Sequence, residues 1–337
     1  MNEQSRSTKP IYIISSPRSG STLLRLLLNT HSRIAIPPPG FMFPFFYPFM
    51  YSYGDLERNE NFNAFIEDVL EHQKRKGWPD PIGHEELLAA KPERSFAGVY
   101  RAVHEIWGAR RGKSRWGEKT PRNSFWMAEI LECFPDSQFI HILRDGRDVA
   151  VDWVENLDWP KNAYATAIEW SEHIRAIEAA KQSISVRQLL EIRYEELVGA
   201  PQATLERVCA FLGETYEPDM LKYYASSEAQ NWSTSEGCHR MVSRPITDDF
   251  VGVHRRVLTL DDRRLLTGAI GATLSRCGYE LDVEGREISA REYRDYVRDS
   301  LTDTVETMKW NIWHYRRRKQ RYADGVWSDG EGTRICG

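Results

Sequence analysis

The sequence predicts an α/β fold in which a central parallel sheet is covered by helices on both faces. Two strand–tight loop–helix units carry this reading. One is PIYIISS (10–16), followed by a Pro-Arg-Ser-Gly-Ser-Thr turn and the leucine-rich run 23–28; the other is SQFIHIL (137–143), followed by Arg-Asp-Gly and breaker-free 147–156. A third observation is the alternation itself. Apolar runs separated by helical segments belong to parallel sheets, whose functional sites lie at the strand C-terminal ends.

In chain order, the first strand and helix precede a helix over 61–77, whose C-terminal end is marked by glycine, and another over 101–110. A helix over 124–134 leads into the second strand. After the helix at 147–156 come a helix over 163–183, a short strand at 189–193, and helices over 201–213 and 260–277. From Arg286 to Asp324 there is neither Gly nor Pro, and Tyr293, Tyr296, Val297, Leu301, Val305, Met308 and Ile312 recur at helical spacing. A long amphipathic C-terminal helix is expected there. The division is therefore residues 1–285 as one domain and 286–337 as a helical extension with a basic aromatic end.

The 337 residues carry 45 Lys plus Arg against 49 Asp plus Glu, a net charge of −4, which argues against a surface that is one nucleic-acid footprint. The length buries a core without disulfide or metal staples. Cys133, Cys209, Cys238, Cys277 and Cys336 show no CxxC or zinc spacing. They read as isolated thiols of a reducing compartment, with a long-range disulfide as the lesser alternative. The polar start MNEQSRSTKP lacks a signal-peptide pattern, and no run approaches the roughly 20 apolar residues of a spanning helix. A cytoplasmic protein is expected.

The loop SSPRSGSTL (15–23), between strand and helix N-terminus, is built like an anion cradle. Backbone N–H groups, hydroxyls and the helix dipole converge where Gly20 lets a ligand approach. A capped helix start would use the same residue types. A kinase or NTPase P-loop, G-x-x-x-x-G-K-[ST], would need glycine at Ser15 and lysine at Ser21, so the Lys that holds a nucleoside triphosphate is missing. Arg18 stands in the loop instead, suited to a smaller anion.

On these residues the chain resembles the sulfotransferases that use 3′-phosphoadenylyl sulfate (PAPS), in the form with an Arg-bearing 5′-phosphosulfate loop found in bacterial, Golgi-type and tyrosylprotein members. SSPRSGSTLL matches that loop and FIHILRDGRDVAVDW (139–153) their 3′-phosphate motif. GEKTPRN (117–123), FPD (134–136), RYEELVGAP (193–201) and AFLG (210–213) follow the family's order over residues 10–260. The resemblance implies a P-loop-like core with Arg18, Ser19, Gly20, Ser21 and Thr22 around the 5′-phosphate and sulfonate. It further implies Arg144 on the 3′-phosphate, Tyr194 near the adenine and Lys119 at the transferring sulfonate. The physical chemistry agrees for Arg144, because a planar guanidinium at a strand end can grip a phosphate with two hydrogen bonds. A surface ion-pair ladder of Arg144, Asp145, Arg147 and Asp148 is the competing reading. The reaction implied is in-line attack of an acceptor, a hydroxyl foremost, on sulfur, with adenosine 3′,5′-bisphosphate leaving and Arg18, Lys119 and the loop amides meeting the developing charge. No His/Cys/Asp cluster has ligand spacing, so no metal is expected.

Three positions depart from the family pattern. Asp152 replaces the usual serine eight residues after Arg144; it either turns toward Arg144 or Arg147, or gives way to Trp153 over the site. Pro39 stands where a catalytic Glu is usual, leaving Glu118, His31, His104 or His254 as general base, of which Glu118 is chosen. Late in the chain VGVHRR (251–256) keeps only the basic pair of the usual Gly-Arg-Trp-Arg-Arg, so Arg255, and similarly Ser243, are candidate donor contacts.

Eight aromatics lie within 41–53, interrupted by Pro44 and Pro48, which oppose a regular helix. They could line an acceptor pocket for a hydrophobic, aromatic or sugar acceptor, plug the fold, or form a homodimer face. Residues 309–321 hold six basic side chains and no acid, with Trp310, Trp313 and Tyr315 among them. They could rest on an anionic membrane surface or form a solvated helix face. The rivals to a sulfotransferase are an ATP-using P-loop kinase and a catalytically inactive binding protein of the same fold.

Overall fold

In a computed structural model, residues 8–156, 162–235 and 241–298 are described, together with Ile312 and Cys336. Five strands, β1 (Ile11–Ile14), β2 (Ile34–Ala35), β3 (Arg115–Lys119), β4 (Gln138–Leu143) and β5 (Leu189–Arg193), form one parallel sheet in the order β2-β3-β1-β4-β5. β1 is central, with β3 on one side and β4 on the other. The crossovers change direction at its C-terminal end, where an open α/β sheet leaves a crevice.

The helices between strands are α1 (Ser21–Thr30), α2 (Met42–Phe46), α3 (Asn59–Arg75), α4 (His84–Ala89), α5 (Phe96–Ala109), α6 (Met127–Cys133), α7 (Gly146–Asn156) and α8 (Ala163–Lys181). After β5 come α9 (Tyr194–Gly199), α10 (Pro201–Leu212), α11 (Ser227–Ser235), α12 (His254–Val257) and α13 (Leu260–Arg276). One sheet face carries α1, α9 and α10 through Leu24, Leu27, Ile140, Ile142, Leu197 and Leu205. The other packs Tyr12, Phe139, Tyr100 and Phe134 with the aromatic run. Strand alternation divides them: Ile11 and Ile13 face α1, Tyr12 and Ile14 face the aromatics.

The predicted strands and most helices stand within a few residues of their expected bounds; the helix expected over 124–134 is a 3₁₀ turn (Pro121–Phe125) followed by α6. β2, β3, α4 and α9 were not among the expected elements. The aromatic run forms α2 and a 3₁₀ turn (Tyr47–Tyr53), broken as its prolines require. It is chiefly a plug: Phe43, Phe46, Met50 and Tyr53 are buried against Phe65, Phe96 and Tyr100. Of the expected C-terminal helix, residues 286–298 and Ile312 are described: 286–289 are not helical, which moves the start of the helix to 290, and 290–298 and Ile312 are helical; the basic stretch 309–321 lies otherwise outside the described residues.

The expectation of isolated thiols is corrected for one pair. Cys133, at the end of α6, is disulfide-bonded to Cys336 with Cα atoms 4.7 Å apart, across 203 residues of sequence. Sequence spacing says nothing about which distant segments the fold brings together. Cys209 and Cys277 are free, and Cys238 lies outside the described residues. Among the described residues no helix is long and apolar enough to cross a membrane.

Candidate active site

β1 delivers the chain into the loop 15–20 at the sheet's C-terminal edge. Two residues there have left-handed backbones, Arg18 (φ 64°) and Gly20 (φ 88°). Gly20 is required on two counts: its conformation disfavours a side chain, and a Cβ would lie 2.5 Å from the Tyr194 ring. No side chain caps α1, which begins at Ser21. Its first amides therefore open toward the loop. Within the loop Ser16 and Ser19 share a 2.6 Å hydroxyl hydrogen bond, and the Ser15 hydroxyl is buried with no partner among the described residues.

Arg144, just past β4, is brought to the same place. Its Nη1 donates to the Arg18 carbonyl and to Asp152 Oδ2, each at 2.8 Å, and its Nη2 to the Phe250 carbonyl at 3.1 Å. Its guanidinium lies over the Tyr194 ring at 4.5 Å, and its buried Nε has no partner among the described residues. Arg18 donates to Asp152 Oδ1 at 2.6 Å from Nη2 and 3.2 Å from Nε. Asp152 thus bridges the two arginines. Burial pushes its carboxyl up, but the charges of Arg18 and Arg144 overcome this and hold it below its ordinary value. Of the two placements expected for Asp152, the structure takes the turn toward Arg144.

The surface-ladder reading of 144–148 is ruled out by burial: Arg144, Asp145, Arg147 and Asp148 are all inside. Arg147 is held by Asp145 and Asp282. Asp148 accepts the backbone N–H groups of Gly252 (2.7 Å) and His254 (2.9 Å) and the His254 ring at 2.5 Å. That clasp fixes the segment after Phe250 over Arg144. Arg255 follows on the rim, exposed. The Ser243 carbonyl accepts from Gln230 of α11 at 3.4 Å.

β3 brings two adjacent residues to opposite faces of the sheet edge. Lys119, buried, donates to Thr22 of α1 at 3.2 Å. Glu118 faces the aromatic side, where Thr120 (2.5 Å) and Asn123 donate to its carboxylate and the Gly40 N–H adds a third bond. Burial pushes its pKa from 4.5 up to about 7, against the pull of Thr120, Gly40, Lys119 and Asn123. The alternatives to it sit elsewhere. His104 is buried among Tyr100, Trp116 and Trp78, and burial pushes it down to about 4. His31 caps the far end of α1 and meets the Thr215 carbonyl. His254 is engaged by Asp148.

Sequence reasoning did not single out Thr120 and Asn123 as holders of Glu118, though both lie inside the quoted GEKTPRN. It also missed Asp148 and the Phe250 carbonyl; nothing in the local sequence links positions 104 to 106 residues apart. Among the described residues no group of three or more His, Cys, Asp or Glu could hold a metal ion.

A family model described as "Sulfotransferase family" matches residues 10–218. Nodulation protein NoeE of Sinorhizobium fredii is 24% identical over 97% of this chain and 77% of its own length. An uncharacterized protein of Aquifex aeolicus is 25% identical over 65% of the chain, which spans only 27% of that protein. Among solved structures, the sulfotransferase domain from the curacin biosynthetic pathway superposes with a TM-score of 0.57 at 22% identity, covering 82% of this chain and all of that domain.

Proposed function

The chain belongs to the sulfotransferase family, and from that premise we propose that it transfers the sulfonate group of PAPS to an acceptor hydroxyl by in-line displacement. The observation that carries the donor half is the convergence of Arg18 and Arg144 on one carboxylate beside an uncapped helix N-terminus. The residues fit a doubly phosphorylated donor: the orphaned Nε of Arg144 and hydroxyl of Ser15 are polar groups waiting for a partner.

In this reading Arg18, the amides of Ser19 to Thr22 and Lys119 receive the 5′-phosphosulfate. Arg144, with Arg255 at the rim, receives the 3′-phosphate, and Tyr194 borders the adenine. As the acceptor oxygen bonds to sulfur, the bond from sulfur to the bridging phosphate oxygen breaks and that oxygen keeps the electron pair. Lys119 and Arg18 stabilise the growing charge, and Glu118 takes the hydroxyl proton. Glu118 suits the task because its pKa stands near neutrality and its face of the sheet is the aromatic one, opposite the donor loop.

Three further statements belong to the same proposal: residues 286–337 form an extension to the catalytic domain, the enzyme works in the cytoplasm, and residues 309–321 touch an anionic membrane surface. Self-association through the exposed edge of the aromatic run is the fourth. The deciding experiment is calorimetry with adenosine 3′,5′-bisphosphate and, separately, ATP, followed by single-turnover transfer from labelled PAPS. Tight binding of the bisphosphate, and loss of transfer by roughly 100-fold or more in Arg18→Ala, are expected. Binding of ATP alone, or undiminished transfer by the variant, would overturn the reading.

A further inference from the structure

On the aromatic side of the sheet, joined to Glu118 through Thr120, lie two exposed cations that have no counter-ion among the described residues. The Phe41 N–H donates to the Thr120 hydroxyl at 3.2 Å, the same hydroxyl that donates to Glu118. Phe41 is held in the left-handed backbone region at φ 52°, a conformation costly for an aromatic residue and typical of ligand clamps. Its ring stacks on Phe45 with centroids 5.8 Å apart, and the Lys76 ammonium sits 4.5 Å from both ring centroids. Arg122, two residues past Thr120, stands near enough to lower the Lys76 pKa, a push that adds to the larger one from burial. Neither cation has an ion-pair partner among the described residues. Two residues on from Lys76, Trp78 is buried against Gly40, and its indole N–H has no acceptor among the described residues.

We infer that the acceptor carries an oxyanion, a carboxylate or a phosphate monoester, which Lys76 and Arg122 seat over the Phe41–Phe45 pair while Glu118 meets the hydroxyl. An ammonium seated on two aromatic rings, with a second cation near it and no acidic partner for either among the described residues, is a site for an anion supplied from outside. The hydroxyl and the oxyanion then enter from one side and the donor from the other. This inference rests on the sulfotransferase reading and narrows its acceptor class.

The test uses the full chain with labelled PAPS and three matched acceptor series of graded chain length: ω-hydroxy carboxylates, hydroxyalkyl phosphates and neutral hydroxy amides. One or both anionic series should exceed the amides in kcat/KM by roughly tenfold or more, the size of a charge-assisted contact. The carboxylate and phosphate series tell which oxyanion is preferred. In the Lys76→Gln/Arg122→Gln double variant the preference should fall to within about twofold, through KM rather than kcat. Lys76→Arg should retain it. Bisphosphate calorimetry on each variant shows that the fold and donor site are intact. Amides as good as anions, a preference that survives the double variant, or no transfer to any series while the bisphosphate binds tightly would each overturn the anionic-acceptor inference and leave the donor half standing. Failure to bind the bisphosphate would instead overturn the parent reading.

Discussion

Asp152 and Glu118 are two buried carboxylates that their surroundings push in opposite directions. Asp152 lies between two guanidiniums and stays ionised, so it holds the arginines in place; Glu118 has hydrogen-bond donors but one nearby cation, and burial wins. The Glu118 shift from 4.5 to about 7 makes two claims at once. In catalysis, kcat/KM at saturating PAPS should climb with pH to a plateau above about 7, and Glu118→Gln should lose both that limb and roughly 100-fold in rate. In stability, the sign is set by which state keeps the proton. Between pH 4.5 and 7 the folded carboxyl holds a proton that the unfolded chain has released, so the contribution of Glu118 to stability falls as pH rises through that window, by about 3 kcal/mol. The difference in urea midpoint between the parent and Glu118→Gln should fall across the window; the comparison isolates Glu118, because His104, pushed down to about 4, gives both proteins a slope of the opposite sign. A parent rate profile level through pH 7 would remove Glu118 from the proton's path.

At the scale of elements, the proposed donor cradle depends on one contact between the β1–α1 turn and the start of α9. A methyl group at Gly20 would strike the Tyr194 ring, and Tyr194 in turn supports Arg144. Gly20→Ala should therefore weaken adenosine 3′,5′-bisphosphate by tenfold or more and cost about 1 to 3 kcal/mol of stability from the left-handed strain. Calorimetry and thermal melts on the variant check both, and an unchanged Kd would sever the turn from donor binding. This turn was legible in the sequence because its chemistry is local: strand, small polar residues, glycine, helix. β3 was not. RWGEK reads as a polar stretch, yet every one of its residues is buried. Arg115 reaches the Lys9 and Leu212 carbonyls, Gln138 and Glu214, partners scattered from 23 to 106 positions away. Gly117 belongs there for packing, since a Cβ would lie 2.8 Å from the Ile11 carbonyl oxygen. The pairing of Asp152 with both arginines was half legible, as a departure from a motif; only the fold could add Arg18, 134 positions away.

For the whole molecule, a net charge of −4 conceals a separation of sign. Arg18, Arg144 and Lys119 gather at the central strand ends, and Lys76 and Arg122 at the aromatic rim. The aromatic core that fills the sheet face behind Glu118 also includes Cys133, and Cys336 packs against it. The Cys133–Cys336 bond thus ties position 336 to the aromatic layer behind Glu118. Closing so long a loop restricts the unfolded chain, and such bonds contribute about 2 to 4 kcal/mol. Reduction, or Cys133→Ser, should lower the urea midpoint accordingly, and reduction of the variant should add nothing further. Peptide mapping without reductant should recover a cross-linked pair at 133 and 336, with the buried Cys209 alkylated only after unfolding opens it. The same mapping, done on cells quenched with acid and alkylated, also tests the compartment. A protein that works in the cytoplasm meets a glutathione pool that keeps most pairs reduced. Recovery of the cross-link from quenched cells would place the working enzyme outside that pool, and recovery of both thiols would make the bond one that forms after lysis.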